Sequence, residues 1–265
     1  MLKIGMIGAG NMGGALAAAI GFFDAELYIS DASCEKAEEL ASSLGAVAST
    51  NVEIAKSCDL IFFAVKPNVL PSMISEIRDT LEDRTEEFTV VSMAAGVAIE
   101  KIISMIGFSC PVIRIMPNTP VSVGEGMVLW CANALVNKDI KTNFASCMSF
   151  AGELDEIPER LIDAASALSG CGPAFVYMFT EALADGAVEC GLPRDKALKY
   201  ATQTLLGAAA LAKESGTHPA ELKDAVCSPG GSTIAGVHAL EDGAFRAAVM
   251  NAVSASFNKT RELGK

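Results

Sequence analysis

Through its first 120 or so residues the chain alternates two patterns. Short, almost uninterrupted apolar runs occur at 4–7, 26–30, 59–65, 88–92 and 112–116. Between several of them lie segments whose apolar positions recur at helical spacing: 15–20, 34–44 and 69–81. In the second of these Ala37, Leu40, Ala41 and Leu44 share a face, and Gly45 is a stop signal. Apolar runs without polar alternation suit strands covered on both faces, and strands separated by helices suit a parallel sheet. One more strand is predicted at 126–132, then a helix at 138–150 and a short extended piece. After Pro158 the alternation stops and helix formers dominate, with helices predicted at 161–168, 173–190, 194–213 and 234–241. The expectation is an α/β domain over 1–157 followed by an all-helical domain over 158–265. The helix at 173–190 is apolar around most of its girth, so protein must surround it. In so short a helical segment a second copy of the chain supplies that cover most easily, which predicts a homodimer.

The strand ends carry the candidate chemistry. The first apolar run breaks into Gly8-x-Gly10-x-x-Gly13 and opens at once into a small-residue helix. In that setting Gly8 allows a tight turn, Gly10 lets a pyrophosphate approach the backbone, and Gly13 lets helix and strand pack closely. The helix N-terminus adds free N–H groups and positive potential. The second run ends at Asp31, about 20 residues past the glycine turn, where a dinucleotide fold meets the adenosine ribose. A carboxylate there accepts from a 2′-OH and repels a 2′-phosphate. Ser30, Ser33 and Asn51 could instead donate to a 2′-phosphate, and Asp31 could simply cap the next helix. The third run ends in Lys66-Pro67, which reads either as a group near the coenzyme or as a solvated lysine. The fourth opens into Ala94-Ala95-Gly96, and the fifth into Pro117-Asn118-Thr119-Pro120. The glycine turn, Lys66-Pro67, Ala94-Ala95-Gly96 and Pro117-Asn118-Thr119-Pro120 are four Gly-rich, Lys-Pro, Ala-Gly or Asn-Thr ends in one parallel sheet, and they point to a single cleft. Far along the chain, Ser228-Pro229-Gly230-Gly231-Ser232-Thr233 joins two short helices. It reads either as a receptor for a small carboxylate at a helix N-terminus or as an ordinary Ser/Thr cap.

Composition narrows the partners. A net charge of −12 disfavours nucleic acid and anionic membranes. No apolar run in the sequence reaches the ~18 residues of a membrane span, and the start lacks a signal-peptide layout. Eight cysteines lie scattered without a CxxC pair, so neither a metal site nor a disulfide framework is expected. They read as buried small hydrophobes in a reducing cytoplasm. His238 falls inside a helix and His218 at a helix start, and neither needs a catalytic role. Glu181 and Asp185, four apart on the long helix, read as an interface or polar network.

Five stretches in order carry a resemblance: Ile7 to Gly13, Ala64-Val65-Lys66-Pro67, 116–120, Ser169-Gly170-Cys171-Gly172-Pro173-Ala174 and 228–233. Together they resemble the pyrroline-5-carboxylate reductases, over essentially the whole chain. The resemblance implies a Rossmann-type N-terminal domain, an all-helical dimerisation domain, and reduction of a cyclic imino acid to L-proline by NADPH or NADH. It implies a dimer, in similar enzymes often assembled into rings of five. It makes Gly8, Gly10, Asn11, Met12 and Gly13 the pyrophosphate turn. Ser30, Asp31 and Asn51 fall at the adenosine end, and Ala64, Val65, Lys66, Pro67, Ala95 and Asn118 towards the nicotinamide. Ser228, Gly231 and Ser232 become donors to the substrate carboxylate, and Thr233 the hydroxyl that meets the ring nitrogen. Some relatives lack an acid at the position of Asp31, so the resemblance does not fix the coenzyme. Two rivals remain: a dinucleotide sensor without turnover, and another imine or hydroxyacid oxidoreductase. The hydroxyacid enzymes generally need a catalytic lysine in the helical domain; here the long helix has Glu181 and Asp185 instead, and Lys196 and Lys199 fall later.

Overall fold

The structure is a computed structural model and describes residues 1–263. By packing, the chain forms two compact units, Met1–Cys171 with the segment from Ser256 onward, and Gly172–Ala255. The first is built on an eight-stranded sheet. Its strand β1 (Lys3–Ile7) is flanked on one side by β2 (Glu26–Ser30) and then β3 (Val47–Ala48). On the other side follow β4 (Leu60–Phe63), β5 (Thr89–Ser92), β6 (Val112–Met116), β7 (Gly126–Ala132) and β8 (Gly152–Glu156). Every pairing is parallel except that of β6 with β7. The chain thus builds outwards from β1 in one direction and then, at β4, in the other. That reversal opens a crevice beyond the carboxyl ends of β1 and β4.

Burial explains the uninterrupted apolar runs. Phe62 of β4 joins Ile4, Met6 and Leu16 on one face of the sheet, while Ile61 and Phe63 join Ile7, Ile74 and Ile77 on the other. A strand packed on both faces has no solvent side on which to alternate. The helices of this unit are α1 (Asn11–Ile20), α2 (Cys34–Leu44), α3 (Asn51–Ser57), α4 (Leu70–Glu82), α5 (Ile99–Ile106) and α6 (Lys138–Cys147), with α7 (Glu159–Ser169) after the sheet. The helix expected over 138–150 stops at Cys147. Two helices were not expected. α3 is seven residues long and is set by a capping box between Thr50 and Glu53, and α5 buries Ile99, Ile102 and Ile106.

The sequence changes character at 157/158, whereas packing divides the chain after Cys171. The stretch between is α7, held to the sheet by charge. Arg114 of β6, only 3% exposed, donates to Glu159 Oε1 at 3.3 Å and Asp163 Oδ1 at 2.7 Å.

The second unit contains α8 (Gly172–Glu189), α9 (Arg194–Ser215), α10 (Pro219–Val226), α11 (Ser232–Asp242) and the first part of α12 (Phe245–Leu263). Its buried core among the described residues is Ala184, Ala197 and Ala201. Met178 and Met250 stay about 70% exposed, and Tyr177, Leu206 and Val226 are exposed as well. The helical stretch Glu159–Glu189 is long and apolar enough, by length and composition, to cross a membrane. This corrects the expectation that no segment reaches that length. Only 17% of its apolar window is buried within the chain.

Candidate active site

The glycine turn is forced by sterics. Gly8 sits at φ +114°, and a Cβ on it would lie 2.7 Å from Ala64 O. Its N–H donates to Ser30 O at 2.8 Å, which ties the turn to β2. A Cβ on Gly13 would lie 2.1 Å from Gly8 O, so α1 can pack on the turn only without a side chain there. Gly10 differs: a Cβ on it would meet nothing within 4 Å. It is the N-cap of α1, and no side chain caps that helix. The first-turn N–H groups, those of Asn11 and Met12 among them, are left to an outside acceptor. Open space beside uncapped N–H groups fits a pyrophosphate.

A cleft of about 620 Å³ lies at these strand ends. Gly8, Gly10, Ser30, Asp31 and Asn51 line it, with Ala64, Val65 and Lys66. Six other candidates do not: Asn11, Met12 and Gly13 belong to α1, Pro67 follows Lys66, and Ala95 and Asn118 follow β5 and β6. Asn118 is 8% exposed and its amide holds protein. Its Oδ1 accepts from Met127 N at 2.9 Å and its Nδ2 donates to Ser169 O at 3.0 Å. That ties the turn after β6 to β7 and to the end of α7.

At the adenosine end the side chains form a connected set. Asp31 Oδ2 accepts from Ala9 N at 2.8 Å and Oδ1 from Ser33 N at 3.0 Å. The cap of α2 is Ser33, which accepts from Lys36 N, so Asp31 does not cap that helix. Ser30 Oγ donates to Asn51 Oδ1 at 2.7 Å, and Asn51 Nδ2 donates to Glu76 Oε2 at 2.8 Å. Glu76, on α4, is a cleft residue that sequence reasoning missed. Its partner is 25 positions away, and no local pattern announces it.

A larger groove, about 730 Å³, lies at the opposite, amino ends of the strands beside Lys3, Asp59 and Arg84. Ligands of such sheets bind beyond the carboxyl ends. Arg84 is occupied there, donating to Ala55 O at 2.9 Å and Cys58 O at 2.7 Å.

The other candidate stretch forms a bare helix mouth. α11 begins at Ser232, two residues earlier than expected, with Gly231 as N-cap and no side-chain cap bond. Ser232 and Thr233 are therefore the first helical residues, both exposed in the single chain, and the reading of this stretch as an ordinary side-chain cap is corrected. Gly230 turns at φ +68°, and Gly231 N donates to Ser228 O at 3.0 Å. His218 caps α10, its Nδ1 accepting from Ala220 N at 3.2 Å. His238 lies 3.4 Å from Asp242 on the exposed face of α11. Asp185 pairs with Arg194, joining α8 to the start of α9. Burial pushes the Cys58, Cys110 and Cys131 thiols up to about 11 and that of Cys147 to about 12, so these four stay protonated and unreactive. Among the described residues no cluster of His, Cys, Asp or Glu could hold a metal ion.

A family model for pyrroline-5-carboxylate reductase dimerisation matches residues 159–263, and one described as NADP oxidoreductase, coenzyme F420-dependent, matches residues 3–96. Pyrroline-5-carboxylate reductase 3 of Danio rerio is 42% identical across 99% of this chain and 92% of its own length. The chain belongs to the pyrroline-5-carboxylate reductase family. The Escherichia coli pyrroline-5-carboxylate reductase is 40% identical over 99% of this chain and 98% of its own. The crystal structure of the Plasmodium falciparum reductase with NADP bound superimposes with a TM-score of 0.89 at 35% identity, covering 100% of this chain and 98% of that one. The family's dimerisation region is where this chain leaves large apolar side chains uncovered, and self-association accounts for them.

Proposed function

We infer that this chain is an NAD(P)H-dependent pyrroline-5-carboxylate reductase. It reduces the cyclic imine L-1-pyrroline-5-carboxylate to L-proline, the last step of proline biosynthesis. The observation that carries this reading is likeness over the whole chain, 42% and 40% to reductases of a fish and a bacterium. The open, uncapped glycine turn at Gly10 supports it, since this is where a dinucleotide would be gripped.

The residues divide the work as follows. The turn from Gly8 to Gly13, with Asn11 and Met12, holds the pyrophosphate, while Ser30, Asp31 and Asn51 meet the adenosine ribose. Ala64, Val65, Lys66 and Pro67 flank the nicotinamide side, and Ala95 and Asn118 shape it. When bound, the dihydronicotinamide supplies a hydride. The imine nitrogen is basic enough to arrive protonated, so its ring carbon is already electrophilic and needs no strong acid from the protein. The mouth of α11 takes the substrate carboxylate through the Ser232 N–H and the Ser228 hydroxyl, with Gly231, whose own N–H is held by Ser228 O, as the open N-cap. Thr233 Oγ1 accepts from the ring N–H and fixes the plane of the imine. Neither histidine takes part.

The working unit is a homodimer joined through its helical segment (158–265), and a ring of five dimers is the higher assembly we propose. The acidic chain and its buried thiols support a cytoplasmic protein without nucleic-acid or membrane partners. The deciding experiment follows loss of reduced-nicotinamide absorbance with pyrroline-5-carboxylate as substrate. Tight coenzyme binding without proline formation would replace this reading with the sensor.

A further inference from the structure

We propose that the adenosine end of the cleft is built for NADH and rejects the 2′-phosphate of NADPH, with Asp31 and Glu76 as the specificity-determining residues. This rests on the reductase reading above and names its coenzyme.

Three observations converge. First, the Asp31 carboxylate is pinned at the end of β2 by two backbone donors, Ala9 N at 2.8 Å and Ser33 N at 3.0 Å. Held in this way it cannot swing aside from an arriving phosphate. Each oxygen keeps a lone pair with which to accept from a ribose hydroxyl. Second, two of the three neutral donors that might have met a phosphate, Ser30 and Asn51, already hold protein partners. The Ser30 hydroxyl donates to Asn51, and the Asn51 amide donates to Glu76, which brings a second carboxylate to the same wall. Third, among the described residues lining the cleft the cation is Lys66, and it follows β4, on the other side of the glycine turn from Asp31. At the positions after β2, where an arginine would reach a 2′-phosphate, this chain has Ala32 and Ser33. A dianionic phosphate would meet a wall that carries two carboxylates and, Lys66 apart, no cation among the described residues that line it.

The test is equilibrium binding to the full-length protein without substrate, titrating NADH and NADPH separately and reading nicotinamide fluorescence. The expected Kd for NADH is about 10- to 100-fold below that for NADPH, from one ribose hydrogen bond kept and two repulsions avoided. In Asp31→Asn, which keeps the shape and one acceptor, NADPH should tighten and the gap should close by about fivefold or more. Because Asp31 also braces the turn, Glu76→Gln and Ala32→Arg provide tests that leave that brace alone. Ala32→Arg should tighten NADPH about tenfold or more while leaving NADH within about threefold. Equal or tighter binding of NADPH by the wild-type protein would overturn the proposal and leave the reductase reading intact. An Ala32→Arg variant with unaltered NADPH affinity would also overturn it. Failure of both coenzymes to bind would instead refute the reductase reading.

Discussion

Replacing Gly10 by serine separates what the glycine turn does for the fold from what it does for the ligand. Gly10 is the N-cap of α1, its backbone is extended at φ −73° and ψ −178°, and a side chain there meets no protein atom within 4 Å. Serine is a better N-cap than glycine by a few tenths of a kcal/mol, because its oxygen accepts from a first-turn N–H. For a chain of this size that corresponds to a rise in Tm of about 1 °C. The same hydrogen bond takes an N–H meant for the pyrophosphate, and the new side chain fills the space the phosphate needs. Losing one hydrogen bond to a charged group costs about 1.5–3 kcal/mol, or roughly 10- to 150-fold in Kd. Thermal melting of the apoprotein and a coenzyme titration by fluorescence measure the two effects independently. Gly13→Ala is the contrasting case. Its Cβ would lie 2.1 Å from Gly8 O, so α1 must move away and the fold itself loses about 1–3 kcal/mol. A Gly10→Ser protein that binds coenzyme as tightly as wild type would show that the phosphates do not sit at this turn.

Thr233→Ala should lower kcat by about 10- to 1000-fold while leaving the coenzyme Kd unchanged; steady-state turnover beside a binding titration checks it, and wild-type kcat would remove Thr233 from the chemistry. Arg114→Met leaves Glu159 and Asp163, each about a third exposed, without their cation. A fully buried pair broken in this way costs about 3–5 kcal/mol. Solvent reaching these carboxylates reduces that to about 2–3 kcal/mol, a fall in Tm of roughly 4–10 °C by calorimetry. The buried thiols raised to about 11 or 12 bind their protons more tightly folded than unfolded. Their contribution is complete below the unfolded value near pH 9 and is lost as pH rises towards 11–12, so Tm should decline over that window. At pH 8 a thiol reagent should label Cys34 and Cys190, which are exposed, and reach Cys58, Cys110, Cys131 and Cys147 only after denaturation.

Features governed by local constraints were legible in the sequence. The strands at 26–30, 112–116 and 126–132 and the helix at 34–44 coincide with the structure. Apolar runs and a left-handed glycine at Gly45 act within a few residues of themselves, whereas the cap of α2 falls at Ser33 and not at Asp31. The glycine turn was legible for the same reason, because φ at Gly8 and crowding at Gly13 are both set within the strand–turn–helix unit and its neighbouring strand. Short elements were harder to read. α3 has seven residues and β3 two, too few for either periodicity to repeat. Partnerships across the chain left no trace. Asn118 reads as a polar turn residue, yet its amide bonds to residues 9 and 51 positions away. Arg114 reads as a charge inside an apolar strand, and only the folded chain brings Glu159 and Asp163 to it, 45 and 49 positions on.

The carboxy-terminal unit has three alanines for a core, while Met178, Val226 and Met250 face outwards. Such a unit borrows most of its hydrophobic interior from another molecule, which makes its folding a bimolecular equilibrium. Dilution then acts as a denaturant: specific activity should decay once the protein is thinned below the dissociation constant of the pair. An enzyme stock assayed at low nanomolar levels would look sluggish for reasons unrelated to its catalytic groups.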